Sequence, residues 1–195
     1  MHDPVTALEE PLEDLPEEAA TPAVPRSRWR RLARILILDM ARAASVFVLL
    51  HLFVFQFSIV RGSSMRPNIE DGDRLLVDRV SYAVTEVDRF DVVILQSPHD
   101  AKVDYVKRII GLPGDHIEIE DGKLFVNGKP IPEPFESYLD RGESSSYVVP
   151  DNSYFVMGDN RPVSSDSREG WYVTHDHIKG RVRACIWPPQ HLRSF

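Results

Sequence analysis

The sequence predicts a mostly β protein, in which an antiparallel β-sheet or meander with a small insertion is anchored by one N-terminal transmembrane helix. Three observations predict this class. An uncharged apolar stretch at 43–60 follows an arginine cluster. Short runs rich in β-branched residues come next, bounded by Gly, Pro and Asp. Two hairpin turns, at 121–122 and 127–128, then separate segments in which apolar and polar residues alternate.

Residues 1–25 are acidic and rich in proline. They contain seven acidic residues, five prolines and no Lys or Arg. This composition provides too little apolar surface to offset the entropy of ordering, so the sequence predicts a disordered tail. The tail alone carries −7, which is the formal net charge of the whole chain, so the remaining residues are balanced. The broad positive surface of a nucleic-acid-binding protein is therefore not expected.

Residues 26–60 are interpreted as a basic flank followed by a transmembrane helix. Five arginines lie between 26 and 34, and residues 43–60 carry no formal charge. A helix of that length spans about 27 Å, close to the thickness of a bilayer core. The positive flank predicts a single-pass protein of the cell membrane, with its N-terminus in the cytoplasm and residues 61–195 outside it. A buried soluble helix and a cleaved secretory signal both fit this pattern less well.

Residues 61–195 predict a β-rich domain. Strands are expected at 74–77, 91–95 and 103–110, then in the two hairpins, and finally within 154–157 and 177–187. Residues 116–157 are predicted to be a small insertion or hairpin subdomain, and its Pro/Ser-rich part, 130–150, a long loop or insertion. The single cysteine, Cys185, cannot form an internal disulfide, so the apolar core must stabilise this domain.

Ser64 is the first candidate for chemistry. It lies four residues after Val60, the last apolar residue of the predicted anchor, and four extended residues reach only about 13 Å. We therefore expect this serine near the membrane surface, where it would meet a membrane-borne substrate. Gly62 permits a close backbone approach and Pro67 stiffens the chain after the serine. The tetrapeptide from Ser64 to Pro67 is a weak signal by itself, since most such segments are ordinary turns.

A serine hydroxyl needs a base, and Lys107 is the candidate. Strand alternation places it on a face shared with Tyr105 and Ile109, which the sequence predicts to be buried. Desolvation favours the uncharged amine and so lowers the lysine pKa, whereas arginine stays charged. Arg108 lies on the opposite face and fits a structural ion pair. Taken alone, Lys107 also fits a paired or snorkelling lysine.

Histidine offers a rival arrangement. His175 and His177 project to one side of a strand, and with Asp166 they suggest a Ser-His-Asp triad or a metal pair. Both ideas are poorly supported, because no third ligand has a recognisable spacing and the histidines sit in a polar turn. We expect surface histidines, no metal and no cofactor.

The segment 157–168 packs hydroxyl, carboxylate and guanidinium groups after an apolar strand. Its composition alone favours a solvated loop over a hydrogen-bonded platform beneath a buried site. Together with Ser64 and Lys107, it favours the platform.

Three segments in order resemble bacterial type I signal peptidases. They are Gly62-Ser63-Ser64-Met65-Arg66-Pro67, the stretch 105–115 around Lys107, and Gly158-Asp159-Asn160-Arg161 with Ser164-Ser165-Asp166-Ser167-Arg168. A fourth match, which is less specific than the other three, is Asp71-Gly72-Asp73. The resemblance covers about 30–188. It implies a membrane-anchored serine protease that uses a Ser/Lys dyad and no metal.

The resemblance also implies a role for each matching residue. Ser64 matches the nucleophile, Lys107 the general base, and Ser164 the serine whose hydroxyl helps orient the lysine amine. Residues that support the site in the family are matched by Arg108, Asp159, Asp166 and Arg168.

The oxyanion site departs from part of the family. There the nucleophile's backbone N–H holds the oxyanion, in some members together with a serine hydroxyl two positions earlier. That position is Gly62 here and Ser63 would point differently, so we expect a backbone N–H to serve. Met65 completes the candidate residues for the oxyanion and the substrate.

The implied substrates are secretory preproteins, whose N-terminal signal peptides are cut after small residues at the outer membrane–water surface. The expected partners are these preproteins and a phospholipid membrane, and the expected state is a monomer. Self-cleaving repressors share the Ser/Lys chemistry, but this chain has an anchor and an acidic tail in place of their DNA-binding domain. The other alternative is a catalytically inactive membrane-tethered β-domain that acts as a binding or assembly module.

Overall fold

The structure is a computed structural model that describes residues 26–140, 142 and 144–195. The acidic tail predicted at 1–25 lies outside these residues. The chain divides into two compact units, 1–45 and 46–195. The described part of the first unit is helical, and the second unit holds every described strand.

Helix α1 spans Arg26–Val54 and begins earlier than the apolar stretch predicts. Asp39 and Arg42 pair along it at 3.1 Å. The predicted continuation of the helix to Val60 is wrong, because Phe55–Ile59 forms a strand. Its alternating aromatic and polar residues suit a pleated strand, and its backbone pairs with residues 74–78. Among the described residues, no helix combines the length and apolar character that a membrane crossing requires.

Twelve strands are present among the described residues. They are β1 (Phe55–Ile59), β2 (Arg74–Asp78), β3 (Val92–Gln96), β4 (Asp104–Gly111), β5 (His116–Glu120), β6 (Lys123–Val126), β7 (Lys129–Pro130), β8 (Ser145–Val148), β9 (Ser153–Met157), β10 (Val173–Thr174), β11 (Ile178–Trp187) and β12 (Arg193–Ser194). The larger sheet has the order β1-β2-β11-β3-β4-β9-β10, with β12 also on β11. All these pairs are antiparallel. The mostly β, antiparallel prediction is therefore confirmed.

The smaller sheet has the order β7-β6-β5-β8 and is built on the predicted hairpins. The turn residues Asp121 and Asn127 both have positive φ, as tight hairpin turns require. Strand β8 lies within the stretch predicted as a long loop or insertion, and it pairs with β5. The smaller sheet ends at Val148, and β9 returns to the larger sheet, so the insertion is shorter than the predicted 116–157.

The core of the described residues consists of three apolar clusters, and β4 contributes to more than one of them. Ile109 packs in one cluster with residues of β3 and β9, whereas Ile110 packs in another beneath the smaller sheet. Both faces of the last part of β4 are therefore covered. As a consequence Lys107 and Arg108, which point to opposite faces, are both buried.

Candidate active site

Ser64 and Lys107 lie side by side. The Nζ atom of Lys107 is 2.9 Å from Oγ of Ser64, although 43 positions separate the two residues. Ser64 follows β1, and Lys107 lies within β4, where it pairs with Val93 of β3. This distance is within the range that proton transfer between a hydroxyl and a base requires.

The amine of Lys107 is almost completely removed from water. The residue is 3% exposed, and its Nζ lies 5.2 Å from the centre of the Tyr105 ring. Burial lowers the pKa of Lys107 to about 8, although the carboxylates of Asp166 and Glu169 act to raise it. Desolvation has the larger effect, because the buried ammonium loses more hydration free energy than the electrostatic attraction of these carboxylates restores. Roughly a tenth of the amine is therefore neutral at pH 7, against less than about a thousandth for a lysine at its ordinary pKa of 10.5.

The loop that carries Ser64 is closed by backbone hydrogen bonds. The N–H of Val60 donates to Asp73 O at 2.9 Å, and that of Gly72 donates to Val60 O at 3.0 Å. Gly62 has φ of +106°, a conformation that side-chain-bearing residues rarely adopt, and its N–H donates to Asp71 Oδ1. Met65 is buried in the core beneath this loop. The nucleophile candidate is thus held by a fixed turn.

The segment after β9 packs against this loop. The backbone N–H of Asn160 donates to Ser64 O at 2.9 Å, and its side chain donates to Ser63 O at 3.0 Å. Gly158 also lies against the loop, since a β-carbon there would collide with the Ser64 carbonyl and with the side chain of Ser164. These contacts connect residues that are far apart in sequence.

Ser164 places a hydroxyl beside Gly158, and that hydroxyl has an unusual environment. Its Oγ atom is buried and has no hydrogen-bond partner among the described residues. Buried hydroxyls are normally paired, so an unpaired one next to a reactive site needs an explanation.

Arg108 and Asp159 form a buried, bidentate ion pair on the other face of β4. Nε donates to Oδ1 at 2.8 Å and Nη2 to Oδ2 at 2.7 Å. The guanidinium also donates to Phe90 O and lies 3.8 Å from the centre of the Phe135 ring. Asn68 adds a second donor to Asp159, at 2.8 Å. This cluster connects β4, the loop after β9 and the loop of Ser64.

Asp166 and Arg168 form hydrogen bonds within the segment after β9. Asp166 is fully buried and accepts hydrogen bonds from the Gly158 N–H and from the Arg168 guanidinium. Arg168 also donates to Arg161 O at 2.6 Å. The hydrogen bonds of Asp166 are therefore directed to Gly158 and Arg168.

The histidines of the rival arrangement lie on the surface. His175 and His177 are exposed, and Nδ1 of His177 is 2.7 Å from Thr174 Oγ1. No group of three metal-binding side chains occurs within the part of the chain that the structure describes.

Sequence reasoning assigned no role to Asn68, Gly158 or Asn160. The side-chain hydrogen bond from Asn68 to Asp159 spans 91 positions of the sequence, and the one from Asn160 to Ser63 spans 97. No local pattern signals such pairings. The available signals are the position of Gly158 and Asn160 within a polar segment after an apolar strand, and their place in one of the segments that resemble the family.

Known proteins match most of the chain. The family described as signal peptidase, peptidase S26, matches residues 32–187. Signal peptidase I of Bacillus caldolyticus is 38% identical over 160 residues, which cover 75% of this chain and 87% of that protein. Signal peptidase I T of Bacillus subtilis (strain 168) is 36% identical over 172 residues, which cover 80% of this chain and 89% of that protein.

A solved structure is also similar. The crystal structure of a signal peptidase I from Enterococcus faecalis V583 is 30% identical, with a TM-score of 0.44, and covers 50% of this chain and 97% of that one. The family match and the identities over most of each relative agree with the resemblance found in the sequence. The chain therefore belongs to the type I signal peptidases of the peptidase S26 family and is a serine endopeptidase.

Proposed function

We propose that this protein removes signal peptides from secretory preproteins at the outer surface of the cell membrane, with Ser64 as nucleophile and Lys107 as general base. The observation that carries the proposal is the 2.9 Å contact between Lys107 Nζ and Ser64 Oγ, made by a lysine whose pKa burial lowers to about 8. This pKa lets a fraction of the amine be neutral at physiological pH, and that neutral form accepts a proton, as a general base must.

The reaction follows from this geometry. Neutral Lys107 takes the proton from Ser64 as Oγ attacks the carbonyl carbon of the scissile bond. The resulting ammonium then returns a proton to the leaving amine, and an acyl-enzyme remains. Water, activated by the same amine, hydrolyses the ester and frees the serine. The resemblance to the family assigns Ser164 the role of orienting the lysine amine; its buried Oγ has no partner among the described residues, so it is free to accept or donate such a bond.

The oxyanion is held by the backbone N–H of Ser64. Gly62 offers no side-chain donor, and its positive φ makes a serine at this position strained. Arg108, Asp159, Asp166 and Arg168 act as positioning residues, since their hydrogen bonds join β4 to the segment that packs on Ser64. None of them touches Ser64 Oγ.

The substrate binds as an extended strand. On one side, residues 104–106 of β4 pair with β3. On the other side, β9 pairs with β4 only from Arg108 onwards, so no described strand pairs with 104–106 along that edge. Strand β1 likewise pairs with β2 along one edge. A peptide adding to these edges would gain backbone hydrogen bonds beside Ser64.

The membrane location rests on the first 60 residues. Helix α1 carries the arginine cluster at its start and then a series of large apolar side chains that are more than half exposed, such as Leu36, Val46 and Leu49. Exposed apolar side chains in such number are unfavourable in water and mark a contact with lipid or protein. We propose that lipid covers it, so that Ser64 acts at the membrane surface.

Cleavage of a preprotein tests the proposal directly. The detergent-solubilised full-length protein is incubated with a secretory preprotein that has small residues at the first and third positions before the cut. Mass spectrometry of the products should show one cut after the small residue. Ser64→Ala, Lys107→Ala and Lys107→Arg should all abolish it, because arginine restores the charge but cannot accept the proton.

Two exposed residues of the smaller sheet serve as matched controls. Ser146→Ala and Lys123→Ala change a serine and a lysine of the same protein outside the site, and both should keep wild-type cleavage. If folded wild type cuts none of several preproteins, the inactive tethered module becomes the better explanation. A cut that survives both Ser64→Ala and Lys107→Ala would refute the dyad.

A further inference from the structure

The peptide bond between Ser63 and Ser64 is held from outside its own loop by Asn160. The side-chain Nδ2 of Asn160 donates to Ser63 O at 3.0 Å, and its backbone N–H donates to Ser64 O at 2.9 Å. Asn160 therefore contacts the carbonyl on each side of the nucleophile. It comes from the segment after β9 and reaches across 97 positions of sequence.

The first of these contacts determines the direction of the oxyanion donor. The Ser63 carbonyl and the Ser64 N–H belong to one planar peptide unit. A hydrogen bond that fixes the carbonyl therefore also fixes the direction of the N–H on the other side of the unit. The same bond draws electron density towards Ser63 O, which polarises the N–H and strengthens it as a donor.

Gly62 makes this contact more important. A side-chain hydroxyl two positions before Ser64 is absent, so the backbone donor works without that help. The turn requires a φ of +106° at position 62, which glycine adopts and residues with a β-carbon rarely do. The backbone N–H of Arg66 also donates to Ser63 O, at 3.2 Å, but that bond lies within the turn itself. Asn160 supplies the shorter bond, and it is the one anchored in the opposite segment.

We propose that Asn160 is a positioning residue of the oxyanion site, whose side-chain amide aims and polarises the Ser64 N–H towards the developing negative charge. This inference rests on the proposed Ser64/Lys107 chemistry. Asn160 acts through the Ser63–Ser64 peptide and touches neither the lysine amine nor the serine hydroxyl in the described contacts. Its removal should therefore weaken transition-state binding and leave substrate binding and the lysine pKa unchanged.

The test uses the detergent-solubilised full chain and a fluorogenic peptide with Ala at the first and third positions before the cut. Asn160→Ala should lower kcat by about 10- to 100-fold, less than or similar to the loss of a direct oxyanion donor. The KM should stay within about twofold, because the interaction strengthens only as charge develops. The pH midpoint of kcat/KM should match that of wild type.

A pair of inhibitors separates positioning from general loosening. A peptide ending in an alanine aldehyde adds reversibly to Ser64 and places an oxygen at the oxyanion position, whereas the matched peptide alcohol does not. The ratio of their affinities should fall in Asn160→Ala by about the same factor as kcat. Gln96→Ala is the control, because it removes another side-chain amide of the larger sheet, one that donates to Ala101 O and not to the Ser63–Ser64 peptide. Its aldehyde-to-alcohol ratio should equal that of wild type.

Three results would overturn the proposal. One is a wild-type kcat in folded Asn160→Ala while Ser64→Ala and Lys107→Ala are inactive, which would leave the dyad intact and remove Asn160 alone. Another is an equal loss of aldehyde and alcohol affinity, or a shifted pH midpoint, either of which indicates a loosened site. The third is retained cleavage in Ser64→Ala, which would remove the dyad and this inference together.

Discussion

At the scale of single residues, the protonation state of Lys107 controls the proposed reaction. The neutral amine is the working form, and burial lowers its pKa to about 8. We expect kcat/KM for peptide cleavage to rise about tenfold per pH unit below this value and to level off above it. Measurement of initial rates from pH 6 to pH 10 checks this. A rate that is flat across the range would contradict the role of the lysine as base.

Gly158 makes a second residue-scale prediction. A β-carbon at this position would collide with the Ser64 carbonyl and with Ser164, so Gly158→Ala must displace one of them. A shift of about 1 Å in a reacting group can cost about 100-fold in rate, and overpacking costs about 1–3 kcal/mol of stability. We expect kcat to fall by about that factor in a protein that still folds, as measured by peptide cleavage and thermal unfolding.

Gly142 provides the comparison for Gly158. A β-carbon there would meet Asp140 no closer than 3.5 Å, which is an ordinary contact. Gly142→Ala should therefore keep the wild-type kcat and melting temperature. Equal effects of the two substitutions would show that the tight approach at Gly158 has no special importance.

At the scale of elements, the buried pair of Arg108 and Asp159 connects β4 to the segment after β9. Its side chains are only 6% and 1% exposed. Asp159→Asn keeps the shape of the side chain but leaves a buried guanidinium without its counter-charge. We expect the free energy of unfolding to fall by about 3 kcal/mol, as measured by urea denaturation.

An exposed ion pair gives the matched control. Arg66 and Glu70 pair at 2.7 Å with side chains 44% and 35% exposed, so Glu70→Gln should change stability by less than about 1 kcal/mol. Replacing both members of the buried pair with apolar residues, in Arg108→Met/Asp159→Leu, should recover part of the loss because no charge is left unpaired. A single Asp159→Asn variant as stable as wild type would show that the pair does not hold these elements together.

The elements also show how far sequence reasoning reaches. Alternation along 103–110 correctly predicted that Lys107 and Arg108 occupy opposite faces, because strand periodicity is a local property. The helix end at Val54 was missed because 55–59 is uncharged and apolar enough to continue a helix. Only its pairing with β2 makes it a strand. Strand β8 was missed for the same reason, since its partner β5 lies about 30 residues earlier.

The limits of prediction at the site have the same physical origin. Ser64 and Lys107 were found as residue types in suitable contexts, and the structure places them in contact. The hydrogen bonds of Asn160 to the Ser63 and Ser64 carbonyls depend on how the segment after β9 packs across the loop. Packing across such sequence distances is set by the whole fold and leaves no periodic signature.

At the scale of the whole molecule, the site is assembled from three separate parts of the chain. The loop after β1 supplies the hydroxyl, β4 the amine, and the segment after β9 the groups that brace them. None of these segments can form the site alone. The whole fold is needed to bury Lys107 and to hold its amine beside Ser64. Burying an ionisable amine that is charged in the unfolded chain lowers stability.

Lys107→Met should therefore stabilise the protein while abolishing cleavage. The unfolded lysine titrates at 10.5 and the folded one at about 8, so the unfolded state binds more protons between these values, and stability rises with pH across this window. Below pH 8 the cost of the buried lysine is complete, and the shift corresponds to about 3 kcal/mol. Loss of the contact with Ser64 reduces the net gain.

The pH dependence of this stability difference distinguishes the cause. Thermal unfolding of wild type and Lys107→Met should show the variant several degrees more stable at pH 7. The difference should shrink between pH 8 and pH 10.5, as the wild-type amine becomes neutral in both states. Lys123→Met, at an exposed lysine, should show no such trend. A Lys107→Met variant less stable than wild type at pH 7 would mean that the contacts of the lysine outweigh its desolvation, and that the low pKa of the base has another origin.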